Sequence, residues 1–85
     1  MDEALRAIAN RRRRTILGLL WDRERTAGEI AALSALSRPA TSQHLRVLRE
    51  AALVRVRSAG NRRLYRADRD RIDELRRALD DFWEP

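Results

Sequence analysis

The hydrophobic period of this chain changes once, and that change limits what it can fold into. Up to residue 52 the apolar side chains recur at helical spacing. From Leu53 they alternate with arginine at every second position: LVRVR, then SAGN, then RRLYRA. A period of two belongs to a half-buried strand, and Gly60 is free to take the positive φ a tight turn demands. Residues 53–57 and 62–67 therefore read as the strands of one β-hairpin around a turn at 58–61. Val54, Val56, Leu64 and Tyr65 are its apolar content.

The rest reads as helix. EALRAIA (3–9) places Leu5, Ile8 and Ala9 on one face. Asn10 is a candidate N-cap for a second helix over about residues 11–22, which begins with the run Arg11–Arg14 and carries Ile16, Leu17, Leu19, Leu20 and Trp21. Four cations at a helix start oppose the helix dipole, which fits either acidic or phosphate partners or a solvated face. Thr26 and Glu29 form a capping box for a short helix over 27–34 with Ile30, Ala31 and Leu33 inward. Ala35 and Leu36 make a tight connection, Ser37 caps the next helix, and Pro39 sits in its first turn, where a missing N–H does no harm. That helix is expected to reach Ala51 or Ala52. Its wheel puts Thr41, Leu45, Leu48 and Ala52 toward the core and Arg38, Ser42, Arg46 and Arg49 outward, with Gln43 beside the outer set. A last amphipathic helix, 69–83, carries Ile72, Leu75, Leu79 and Phe82 on one stripe with Trp83 beside them. The order is helix, helix, helix, helix, hairpin, helix, in a single domain over residues 1–85.

Charge separates the chain into unlike parts. All 19 basic residues are arginine, and the net charge is +6. Residues 1–14 hold five Arg against Asp2 and Glu3, and residues 15–37 hold two Arg against three acids. Residues 38–67 hold eight Arg against Glu50 alone, whereas 68–85 hold four against seven acids. A concentrated basic surface on a small domain points to a nucleic-acid partner, and arginine's planar fork suits both phosphate and guanine. No apolar run approaches the ~18 residues of a membrane span, and the first ten residues do not form a signal peptide, so a cytoplasmic protein is expected. The chain has no cysteine, one histidine and three scattered glycines, which make no phosphate-cradling glycine-rich loop. An enzyme is not expected.

Two short helices joined by a tight turn and followed by a basic hairpin describe a winged helix-turn-helix, in which the second helix of the pair enters the major groove. The run LSRPATSQHLRVLREAALVRVRSAGNRRLYR resembles the recognition helix and wing of the ArsR/SmtB family of bacterial repressors, through Leu36, Ser37, Pro39, Ser42, His44, Leu45, Leu48, Leu53, Val54, Gly60 and Tyr65. AIANRRRRTIL is similar to the family's first helix junction. Two departures are Arg11, where the family usually has Pro, and Ala52, where Gly is common.

The resemblance implies a homodimer joined through its first and last helices. The apolar residues Leu5, Ile8, Ile72, Leu75, Leu79, Phe82 and Trp83 are the expected interface. A two-fold dimer sets two recognition helices roughly 34 Å apart, so double-stranded DNA bearing an inverted repeat is the expected target. Expected DNA contacts are Ser37, Arg38, Thr41, Ser42, Gln43 and Arg46 in the groove, and Arg57, Arg62 and Arg63 on the backbone or minor groove. Ser37 doubles as cap, and the wheel favours core packing for Thr41. Arg55 and Arg66 are read as pairing with nearby acids, and His44 as a structural hydrogen-bonding or phosphate-contacting residue rather than a metal ligand. Many family members sense metals. Here there is no Cys, the last helix has no His, and carboxylates alone make a poor transition-metal site, so no metal and no cofactor are expected. An effector, small molecule or protein, is left open by the resemblance. The competing reading is a winged-helix protein–protein module that does not bind DNA; such modules present apolar or acidic faces rather than eight arginines around one acid.

Overall fold

The structure, a computed structural model, describes residues 2–83, with side chains through Phe82; Trp83, expected at the dimer face, lies outside the described side chains. The elements are α1 (Asp2–Ile8), α2 (Arg11–Leu19), α3 (Ala27–Ser34), α4 (Arg38–Glu50), β1 (Val54–Ala59), β2 (Arg62–Ala67) and α5 (Arg69–Trp83). The described residues form a winged helix-turn-helix of five helices and one antiparallel hairpin, in the order expected. None of the described helices is long and apolar enough to cross a membrane.

The helix ends show how local sequence and tertiary contacts divide the work. Asn10 accepts from the Arg13 amide, and Thr26 and Glu29 make both halves of a capping box. Asp68, unforeseen in this role, accepts from the Arg71 amide at the start of α5. α2 stops at Leu19 rather than 22 because tertiary bonds recruit the backbone of Leu20 and Arg25. The Leu20 carbonyl accepts from the Ala67 amide at 3.1 Å, and Arg25 and Tyr65 exchange both backbone bonds at 3.0 and 2.8 Å. The segment after α2 thus adds a one-residue bridge to the outer edge of β2.

α4 also ends earlier than expected, at Glu50. Ala52 takes a left-handed conformation (φ 60). The Leu53 amide then reaches back to Leu48 O and the Ala52 amide to Arg49 O, each at 2.9 Å, which satisfies the last carbonyls of the helix. Ala52, expected on the core face, is therefore exposed, and Ala51 is buried in its place. The hairpin turn is two residues, Gly60 and Asn61, not four, with Gly60 at φ 63. Such short turns match strand twist only with positive φ.

The core gathers Ile16, Leu20, Ile30, Leu45, Leu48 and Leu53, with Tyr65 and Leu75 closing it. Leu33, expected inward, is 55% exposed. The buried face of α3 is centred on Ile30, Ala31 and the half-buried Ser34, and Leu33 projects past its edge. Leu75, expected at a dimer interface, is sealed within the chain's own core. Beyond it α5 leaves the body: Leu79 is 40% and Phe82 81% exposed, in a molecule 48 × 23 × 20 Å.

Candidate nucleic-acid interface

α4 is fixed by its first turn and its inner face. Ser37 Oγ accepts from the Ala40 amide at 3.2 Å, and Pro39 sits in the opening turn. Thr41 is fully buried and its hydroxyl donates to Ser37 O at 2.9 Å, so it anchors the helix and is removed from the expected contact set. Leu45 and Leu48 continue the buried stripe, which turns Arg38, Ser42, Gln43, Arg46 and Arg49 to solvent.

The hairpin stands beside that exposed face. Val56 pairs with Tyr65 and Ser58 with Arg63, so strand alternation puts Arg63 on the same side as buried Tyr65. Arg63, Arg46, Arg49 and Ser42 line a cleft of about 480 Å³ between α4 and β2. A neighbouring cleft of about 440 Å³ joins Arg38, Ser42, Arg62 and Arg63 to the start of α3. Ser42 and Arg63 belong to both, so the polar face of α4 and the wing form one continuous basic surface.

The arginines of this surface are not equivalent. Arg57 makes two hydrogen bonds to the Glu24 carboxylate, at 2.7 and 2.8 Å, and these hold Glu24 below the usual carboxylate range. Arg55 donates to Asp68 at 2.9 Å. Burial pushes the Asp68 carboxyl up, but the Arg55 bond and the Arg71 amide outweigh it and leave the group below its ordinary value. Arg62 lies 3.6 Å from Glu29, and Arg46 lies 2.9 Å from Glu50. Among the described residues Arg38, Arg49, Arg63 and Arg66 make no ion pair, so Arg66 departs from the pairing expected of it.

Sequence reasoning missed Gly28. A Cβ there would lie 3.2 Å from Arg38 Nη1, so Arg38 packs closely over the start of α3 and would have to shift by a few tenths of an ångström against an alanine. The available signal was a glycine inside an eight-residue helix, where it lowers helix stability without evident reason. Glu24 was missed as well, because its partner is 33 residues away.

His44 sits half-buried behind this face with Nδ1 3.4 Å from Arg13 Nη1, an arrangement that requires the ring nitrogen to accept. Burial, then the charges of Arg13 and Arg12, push the imidazole pKa down, which favours the neutral ring.

Residues 10–56 match the model of the bacterial regulatory proteins of the arsR family. The chain is 45% identical over 82 residues to the HTH-type transcriptional regulator Rv2034 of Mycobacterium tuberculosis, covering 96% of this chain and 77% of that protein. Among solved structures it is similar to a possible transcriptional regulator for arsenical resistance (TM-score 0.85, 42% identity, 98% of this chain and 86% of the other). It is also similar to the homodimeric winged helix-turn-helix DNA-binding domain of Mb0332 from Mycobacterium bovis (TM-score 0.79, 32% identity, 94% and 77%).

Proposed function

Because this chain belongs to the arsR family of bacterial regulatory proteins, we propose that it acts as a homodimeric repressor that reads an inverted-repeat operator in double-stranded DNA. Residues 37–46 lie in the major groove and the wing, 55–66, follows the backbone or minor groove. The observation that carries this reading is the joined surface of α4 and the hairpin, where Arg38, Ser42, Gln43 and Arg46 face solvent beside unpaired Arg63. Gln43 suits the donor and acceptor edge of adenine, and Arg38 that of guanine. Arg63 has no base-reading helix geometry and serves phosphate. Arg57 reaches DNA only as one half of its pair with Glu24, so it contributes less than Arg63. With no cysteine and one histidine, which is engaged with Arg13, regulation proceeds without a transition-metal switch. The homodimeric M. bovis neighbour and the apolar end of α5 support the dimer.

Fluorescence anisotropy on duplexes selected from a random pool tests this. Selected sites should contain two inverted half-sites. A dimer with ~6–10 phosphate contacts should lose about 10³–10⁵ in affinity between roughly 50 and 200 mM salt. Arg38→Ala should flatten the preference between selected and random duplexes, and Arg63→Ala should weaken both alike. Selection that yields no preferred sequence, or a protein partner captured with no DNA binding at low salt, overturns the proposal.

A further inference from the structure

The run Arg11–Arg14 splits into two pairs with different surroundings. Arg13 donates from Nε to Ala7 O at 2.7 Å and from Nη2 to Arg6 O at 3.0 Å, and Arg14 donates to Ile8 O at 2.8 Å. These two satisfy the carbonyl end of α1, where cations are favourable. Arg11 and Arg12 do neither. Both are exposed, and among the described residues neither side chain makes a hydrogen bond or ion pair. They line a cleft of about 270 Å³ with Thr15, Ser34 and Leu36, and no acid lines it. Apart from the charge Arg12 adds near His44, the fold gives these two cations no internal role.

Their location gives them an external one. Ser34 and Leu36 end α3 and form the turn that leads directly into the Ser37 cap of α4. This cleft shares no residue with the clefts on the wing side, which are built on Arg38, Ser42 and Arg63. The wing meets α4 along Ser42, Arg46 and Arg49, whereas α2 meets it at His44 through Arg13, so Arg63 and the start of α2 lie against different faces of α4. A helix seated in a major groove about 12 Å wide has a phosphate strand on either side. The wing accounts for one strand only.

We propose that Arg11 and Arg12 bind the phosphate backbone of the DNA on the side of the recognition helix opposite the wing. This rests on the DNA-binding reading above. The contact carries no base preference; it fixes how deeply and at what tilt α4 enters the groove.

The test is a salt titration of duplex binding by the full chain, with selected and random duplexes. Variants are Arg11→Ala with Arg12→Ala, the corresponding double lysine variant, and Arg63→Ala as reference. The double alanine variant should bind both duplexes at least tenfold more weakly at about 0.1 M salt, with their ratio preserved. The slope of log affinity against log salt should be shallower by about 1 for each arginine in the complex, and lysines should restore it. Its melting temperature should not fall, since neither side chain holds the fold. Unchanged affinity and slope, with Arg63→Ala still impaired, overturn the flank contact and leave the DNA reading standing. A wild-type chain that binds no duplex overturns both. Inorganic phosphate is titrated separately, with the Arg11 and Arg12 side-chain NMR signals as readout. Saturation at millimolar phosphate, together with an unchanged DNA slope in the double alanine variant, identifies a small-anion site and also overturns the proposal.

Discussion

Ala52 carries a backbone conformation that its side chain resists. At φ 60 its Cβ crowds the following carbonyl, which costs roughly 1–2 kcal/mol, and the conformation persists because it closes the end of α4 with two backbone bonds. Ala52→Gly should therefore raise stability by about 1 kcal/mol, which is about 4–8 °C in a domain this size, read by thermal unfolding. Ala35, at φ 57 between α3 and α4, is a second site of the same kind. His44 makes the other residue-scale case. Its pKa is lowered below 6.5 by burial and by Arg13 and Arg12, so on acidification the unfolded chain takes up the proton first. The contribution of neutral His44 is complete above about pH 6.5 and is lost as pH falls through the lower folded value. Glu24, Glu29 and Asp68 also have lowered pKa values, but they start from the carboxylate range, so their losses begin at more acid pH. Denaturant unfolding should show stability falling between pH 7 and pH 5 in the wild type. His44→Gln should flatten that fall; an equal slope in both would refute the assignment.

At the scale of elements, what was legible depended on the range of the signal. Thr26 with Glu29, Ser37 with Pro39, and the stripe Leu45–Leu48 are encoded within four residues of one another, and α3 and the start of α4 stand where those signals put them. The end of α2 falls short of its expected position for a complementary reason. Leu20 and Arg25 take their partners from β2, and no pattern within residues 11–25 carries that information. Thr41 reads as polar in the sequence, yet its hydroxyl is satisfied by Ser37 O one turn back, which lets it be buried without loss. The wheel places it inward; its residue type argues for the groove.

In the whole molecule, α5 is packed along its first half and exposed along its second. Its first half packs through Ile72 and Leu75, and Arg69 lies 5.6 Å above the Trp21 ring. Its second half projects Leu79 and Phe82 into solvent. With both replaced by glutamate, sedimentation should find a monomer where the unmodified chain is a dimer. Operator affinity should fall with it, because two half-sites no longer bind as one unit; a dimer that survives both changes would place the interface elsewhere. The sequence by itself determined the kinds of element, their order, and the polar face of α4, because periodicity and capping are local properties of a chain. Only the tertiary structure decided which of the arginines are engaged internally. Arg13 meets His44 across 31 residues and Arg57 meets Glu24 across 33, so Arg13 and Arg57 are held by the fold while Arg12 and Arg63 are not. In sequence these cations are indistinguishable, since a charge's role is set by what folding brings beside it.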